Sequence, residues 1–250
     1  MNGRFNHRTA LVTGSSDGIG AAIAQRLAAE GAHVVVTGRD ADRGLAVVDL
    51  IQQAGGHADF IAVDLLGGAD AVRRLADQAI SLLGRVDILV NNAALLIAPT
   101  PTDQVKEDLI DRALSVNIKS AFLLTGILAP LMAQRGDGAI VNIGSINGLF
   151  GSAGSALYSA TKATTHSLTK SWADEYGPAG VRVNAVAPGP TLTTKIEAMQ
   201  EYLAPMIAAM PSRRASTPSE VAAAVAFLVS DEASNIHGAV LSVDGGRGAV

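Results

Sequence analysis

Short runs of consecutive apolar, mostly β-branched residues recur along the chain. They alternate with longer stretches in which apolar positions return every three or four residues. TALVTG (9–14), HVVVTG (33–38), ADFIAVD (58–64), VDILVNN (86–92), GAIVNIGS (138–145), VRVNAVAPG (181–189) and AVLSV (239–243) read as seven strands. Because these runs are continuously apolar, both faces of each strand are expected to be covered. Helical patterns occupy 18–30, 41–54, 69–83, 103–135, 157–177 and 218–230, the long fourth one expected to be broken. Strand-helix repeats of roughly 25 to 40 residues have the size of βαβ units. They predict an α/β fold: one doubly wound parallel sheet of seven strands with helices on both faces. Residues 1–250 read as a single dinucleotide-binding and catalytic domain, without internal repeat or linker. The least regular segments are 93–102, 146–156 and 190–216. The last follows a strand's carboxyl end, where such sheets bind ligands, and is read as a substrate lid.

Composition narrows the class. The 250 residues are 48% hydrophobic and 17% charged, as a sheet buried on both faces requires. The net charge of -4 and the lack of a basic run make nucleic acid an unexpected partner. The chain has no cysteine, so disulfides and thiolate metal sites are excluded. Its five histidines, His7, His33, His57, His166 and His237, show no metal-ligand spacing; they read as surface or packing residues, and no catalytic metal is expected. The N-terminal MNGRFNHRTALVTG lacks a signal-peptide core and cleavage site. The apolar stretch 120–134 is shorter than the roughly 20 residues of a membrane span, and Pro130 interrupts it. A soluble cytoplasmic protein, not attached to a membrane, is expected.

TGSSDGIG (13–20) lies between the first strand and the first helical pattern. Glycines there let a backbone approach a pyrophosphate, whose charge the helix N-terminus favours. Candidate cofactor contacts in this loop are Gly14, Ser16, Gly18, Ile19 and Gly20. The spacing is not that of the usual dinucleotide fingerprint, and a tight turn would explain the glycines as well. Further candidates sit at other strand ends. Asp64, followed by Leu65, could meet an adenine amino group. Asn91 and Asn92, followed by Ala93, could face the adenosine ribose. Each could equally be a turn or cap residue. The second strand ends in TGRD, with Gly38 where a carboxylate would grip a ribose 2′-hydroxyl and Arg39 next to it. Space plus a guanidinium suits a 2′-phosphate. NADP is therefore favoured over NAD, although Asp17 places negative charge in the same region and Arg39 could pair with a surface carboxylate.

In YSATK (158–162), a helix puts Tyr158 and Lys162 on one face. An ordinary tyrosine has a pKa of about 10. Acid-base work near neutrality requires about 3 to 4 kcal/mol in favour of the phenolate, and a nearby ammonium has the correct sign. Ser145 ends the fifth strand, and the loop after it can bring the start of the Tyr158 helix back to that strand end. Ser145 could then donate to the carbonyl oxygen that Tyr158 protonates. Asn117, in SVNIKS, is a poor helix former inside a helical region. It either binds a water linking Lys162 to solvent or marks a helix irregularity.

In order and over nearly its whole length, the chain resembles the short-chain dehydrogenases/reductases. TGSSDGIG, Asp64, NNAA (91–94), Asn117, Ser145, YSATK, VRVNAVAPG and DGG (244–246) carry the resemblance. It implies a Rossmann-like fold and a catalytic tetrad of Asn117, Ser145, Tyr158 and Lys162, with Lys162 and Tyr158 also touching the cofactor. It implies that Pro188, Gly189 and Thr191 lie beside the nicotinamide and that Thr193 reaches its carboxamide or the phosphates. Two positions depart from the pattern: Ala94 stands where glycine is commoner, and Asp17 where many NADP-using relatives carry a basic residue.

The reading that follows is an NAD(P)-dependent oxidoreductase moving hydride between nicotinamide and a ketone or secondary alcohol, with Tyr158 as acid and base. Within enzymes, reduction of a 3-oxoacyl thioester competes with oxidation of a sugar or steroid alcohol; Arg213 and Arg214 alone do not make a dock for an acidic carrier protein. The reading from another class is a non-catalytic NADP sensor or scaffold. The resemblance also implies self-association, as a homotetramer or homodimer.

Overall fold

Seven strands form one sheet in the order β3-β2-β1-β4-β5-β6-β7. They are β1 (Thr9–Val12), β2 (His33–Gly38), β3 (His57–Ala62), β4 (Ile88–Asn91), β5 (Gly138–Ile143), β6 (Val181–Pro188) and β7 (Val240–Val243). Every pairing is parallel. The structure is a computed structural model that describes residues 3–194 and 200–250. The described helices are α1 (Gly18–Ala29), α2 (Ala41–Gln53), α3 (Gly68–Leu83), α4 (Glu107–Leu114), α5 (Ser120–Arg135), α6 (Ala156–Tyr176), α7 (Gln200–Ala209) and α8 (Pro218–Val229).

Alternation along each strand makes two cores. Ala10, Val12, Val34, Val36, Ile88 and Val90 pack with α1, α2 and α8 on one face. Leu11, Val35, Leu89 and Ile140 pack with α3, α5 and α6 on the other. Continuous apolar strands are the direct consequence, since successive side chains point to opposite faces. The chain steps outward from β1 to β2 and β3, then returns to start again at β4 beside β1. The crevice at that reversal lies above the carboxyl ends of β1 and β4.

The seven-stranded, doubly wound arrangement is as expected, but three local expectations change. Strands end earlier where the site begins: β1 stops at Val12, β5 at Ile143 and β4 at Asn91. Thr13, Gly14, Gly144 and Ser145 thus leave the sheet ladder and turn toward the crevice. The expected break in 103–135 is not a gap. After a short 3-10 turn at Thr102–Gln104, helix runs from Glu107 to Arg135 through a π-helical turn at Ser115–Lys119. Pro130 lies inside α5 without ending it. The continuous run Glu107–Arg135 is by length and composition long and apolar enough to cross a membrane, unlike the 120–134 stretch read alone. It is packed as a core helix, however, with Leu124, Leu128 and Met132 no more than 1% exposed. Finally, α7 occupies part of the segment read as irregular, 190–216. Residues 195–199 of that segment lie outside the described residues.

Candidate active site

The glycine loop leaves β1 by a left-handed turn. Gly14 has φ +61°, and a Cβ there would stand 2.9 Å from Cα of Ala93. A side chain would be both strained and crowded. Hydrogen bonds from neighbouring strand ends hold the loop. Ser15 Oγ donates to Val12 O at 2.6 Å and accepts from Thr37 N at 2.9 Å, while Gly14 N donates to Thr37 Oγ1 at 3.1 Å. Asp17 caps α1, accepting from Gly18 N at 2.7 Å. The free N–H groups of the first turn of α1 thus open onto the crevice, where they favour an anion.

Above these strand ends lies a cleft of about 400 Å³. Its wall includes Gly14, Ser16, Gly18, Ile19, Gly20, Arg39, Asp64, Leu65 and Ala93, together with Ser145, Tyr158, Lys162, Pro188, Gly189, Thr191 and Thr193. One opening therefore joins the cofactor candidates to the chemical ones. Two expected site residues are not in this wall. Asn91 is 8% exposed and points into the protein, where Nδ2 donates to Thr125 Oγ1 at 3.1 Å and to Asn142 Oδ1 at 2.9 Å. Its neighbour Asn92 does line the cleft, but its amide is committed to Thr13 O (2.8 Å) and Gly14 O (2.9 Å) and so clamps the glycine loop to β4. Strand alternation gives the two asparagines opposite directions. Asp64 is a cap residue, one oxygen accepting from Leu66 N at 3.0 Å at the start of a short 3-10 turn, and it also lines the cleft.

At the end of β2, the space beside Gly38 is filled by Ser16, whose Cβ would lie 2.8 Å from a Cβ on Gly38. Arg39 faces the cleft and forms no ion pair among the described residues. Arg43, missed in the sequence, lines the same corner; it pairs with Asp40 at 2.7 Å and stands 3.9 Å from Asp17. Asp17 also accepts from Thr194 Oγ1 at 3.2 Å. Its charge is thus engaged by Gly18 N, Thr194 and Arg43. Arg112 and Val116 were missed too, although one helical turn separates them and both face the cleft from the helical run just before Asn117. Leu95 and Leu96, in the 93–102 segment, complete that side.

The chemical cluster differs from its expected electrostatics. The Ser145 and Tyr158 side chains lie close together on the cleft wall, where Ser145 favours the ionised phenol. Burial pushes the Tyr158 phenol up to about 12, and the nearby Ser145 side chain offsets only part of that. Lys162 does not lower it in this arrangement. Lys162 is 4% exposed and donates to Ile143 O at 2.8 Å, with Nζ 5.7 Å from the centroid of the Tyr158 ring. Burial brings the Lys162 ammonium down to about 8. Desolvation is the dominant cause for both groups. Asn117 is also placed differently from a cleft residue. The π-turn presents its Oδ1 to Leu95 N (2.7 Å) and its Nδ2 to Leu95 O (3.2 Å) and Thr161 Oγ1 (3.2 Å). Asn117 thus joins the 93–102 segment to α6 one residue before Lys162, with both amide hydrogens used and one Oδ1 lone pair left.

Comparisons with known proteins agree with this geometry. A family model described as enoyl-(acyl carrier protein) reductase matches residues 14–247. The chain is 39% identical to the cis-4-hydroxycyclohexanecarboxylate dehydrogenase of Sinomonas cyclohexanicum, over 100% of both chains. A solved short-chain dehydrogenase/reductase family protein is 43% identical, with a TM-score of 0.90 over 99% of this chain and 100% of its own. A 7α-hydroxysteroid dehydrogenase solved with NADH and a 7-oxo bile acid is 37% identical, with a TM-score of 0.93 over 98% of this chain and 96% of its own. A candidate NAD(P)-dependent gluconate 5-dehydrogenase from Beutenbergia cavernae, with NADP bound at low occupancy, is 39% identical, with a TM-score of 0.91 over 98% of each chain. The chain belongs to the short-chain dehydrogenase/reductase family. It is an oxidoreductase of the kind that moves hydride between a nicotinamide cofactor and an alcohol or carbonyl group of a small molecule.

Proposed function

We propose that the cleft holds NADP in preference to NAD and that Tyr158 is the proton donor and acceptor at its inner end. The observation that carries this reading is that Ser145, Tyr158 and Lys162 line the same cleft that the glycine loop opens onto. The residues present fit a dinucleotide. Gly14 and Gly18 let the loop turn tightly against Ala93 and Thr193 while lining the cleft, the α1 N-terminus favours a pyrophosphate, and Arg39 offers a guanidinium at the end of β2. Asp64 and Leu65 would face the adenine, and Pro188, Gly189, Thr191 and Thr193 the nicotinamide end. Asn92 and Ala93 serve mainly to hold the loop that receives the phosphates.

When bound, the nicotinamide supplies or accepts the hydride. The chain's own groups handle the oxygen and the proton. In reduction, Ser145 and Tyr158 hydrogen-bond the carbonyl oxygen, and the Tyr158 hydroxyl gives it a proton as the C–H bond forms. A phenolate then remains, and a buried tyrosine at about 12 needs help to bear that charge. Lys162, swung from Ile143 O toward the hydroxyl, supplies it; the remaining lone pair of Asn117 offers a place for a water on the path that returns the proton. Oxidation of an alcohol runs these steps backward. Tyr158→Phe keeps the ring and removes the proton. Its kcat should fall at least about a hundredfold with cofactor affinity within about twofold of the parent; steady-state rates and a cofactor titration decide it, and a near-parental rate removes Tyr158 from the role.

The substrate class is a small ketone or secondary alcohol. We further propose one catalytic domain with 190–216 as its lid: Thr191 and Thr193 line the cleft at its start, and near its end Ser212 N donates to Gly245 O at 3.0 Å, which ties the segment to the chain after β7. Self-association as a homodimer or homotetramer is supported by Phe122, 52% exposed on α5 and tilted against Trp172 of α6 at 5.9 Å. The packing of the long apolar helix into the core supports a cytoplasmic location.

A further inference from the structure

His166 is a buried ionisable group that the reaction as described leaves unused. It is 5% exposed, and neither ring nitrogen has a hydrogen-bond partner. A leucine or phenylalanine would fill a core site without leaving polar atoms unpaired, so an imidazole here calls for a reason. Its position supplies one. Tyr158, Lys162 and His166 follow one another at steps of four on α6 and share its sheet-facing side.

The ring stands where two glycines lack side chains. A Cβ on Gly144 would land on Nε2 of His166, and a Cβ on Gly148 would come within 2.8 Å of its Cε1. These glycines bracket Ser145. Gly144 precedes it, and Gly148 N donates to Ser145 O at 2.9 Å, closing the turn in which Asn147 N donates to Ser145 Oγ at 3.2 Å. The serine turn therefore rests on the imidazole. Burial lowers the pKa of His166; the Gly148 backbone opposes this, while Lys162 and Lys170 lower it further. The ring is neutral at pH 7 and adds no second cation beside Lys162.

We propose that His166 is a positioning residue: its ring, seated against Gly144 and Gly148, holds Ser145 in place beside Tyr158 at the cleft. This rests on the reading of Ser145 and Tyr158 as the pair that handles the substrate oxygen.

The test places His166→Ala in two backgrounds, the parent and Ser145→Ala, with kcat, KM and cofactor affinity measured for each. In the parent background kcat should fall about tenfold or more with cofactor affinity within about twofold. In the Ser145→Ala background the same change should alter kcat by less than about twofold, because the group it positions is gone. Equal losses in both backgrounds, no loss at all, or a parallel loss of cofactor binding overturn the proposal. A second pair needs no turnover. Gly144→Ala should lower Tm, and adding His166→Ala should restore part of the loss by vacating the space the new methyl enters; additive losses overturn it. Should the alanine variant not fold, His166→Gln carries the same two-background comparison. Absence of turnover by the parent protein with ketones and alcohols would instead count against the reading of the pair, while the Gly144 and His166 thermal cycle would still decide whether the ring seats the turn.

Discussion

Lys162 donates its ammonium to the main-chain oxygen of Ile143 at 2.8 Å, on the strand that delivers Ser145, and not to the hydroxyl of Tyr158. The lysine is thus anchored to β5 while sharing a helix face with the tyrosine, and its charge is held in reserve.

Such a charge destabilises the fold near neutrality. Burial sets the Lys162 pKa at about 8 against an ordinary 10.5. Between these values the unfolded chain binds more protons than the folded one, so this group's contribution to stability rises with pH across that window and is fully unfavourable below about 8. Tyr158, raised to about 12 from 10.0, acts only above that range. Lys162→Met should therefore be more stable than the parent at pH 7, by about 1 to 3 kcal/mol, with the gap closing toward pH 10. Its kcat should fall at least about a hundredfold. Thermal unfolding at several pH values checks the first claim, and a lower Tm at pH 7 contradicts it.

The proposed preference for NADP rests on Arg39. With no ion pair among the described residues, it is free to meet a 2′-phosphate. Arg39→Ala should weaken NADPH binding about 10- to 100-fold and change NADH binding less than about threefold. Titrations of both cofactors side by side read this directly; an NADH preference in parent and variant alike refutes the assignment.

Asn91 should matter to stability and not to the cofactor. Asn91→Ala leaves Thr125 and Asn142 without their buried donor. A loss of about 1 to 3 kcal/mol in urea unfolding is expected, with cofactor affinity within about twofold of the parent. A large drop in affinity without a stability change would return Asn91 to the cleft.

Gly14 is expected to tolerate no side chain. Its left-handed turn and the nearby Ala93 Cα make Gly14→Ala both strained and crowded. Cofactor affinity should drop about tenfold or more, with a stability loss of about 1 to 2 kcal/mol. Binding isotherms and melting curves separate the two effects.

Much of the site could be read from residue order because it is built at strand ends. Seven apolar runs marked those ends; the glycines, Asp64 and Ser145 stood at or just beyond them, and the Tyr158–Lys162 pair lay on the helix that follows the fifth. The irregularity at Asn117 was also visible, since asparagine is a poor helix former, and it became the π-turn at Ser115–Lys119. Its partners Leu95 and Thr161 were not visible, because they come from distant segments. Arg43 and Arg112 escaped notice for the same reason: charges on amphipathic helices look like solvated faces until another element is placed opposite.

The order of apolar and polar residues by itself determined the sheet, the helices and the chemical types available at the crevice, because alternation and periodicity are local properties of the chain. Tertiary structure alone decided that Asn91 turns inward while Asn92 clamps the loop, that Ser16 fills the space beside Gly38, and that His166 lies under Ser145. It also decided acid strength: a phenol and an ammonium one helical turn apart suggest mutual support, but enclosure by surrounding residues removes the water that stabilises their charged forms, and that loss is set by the whole fold.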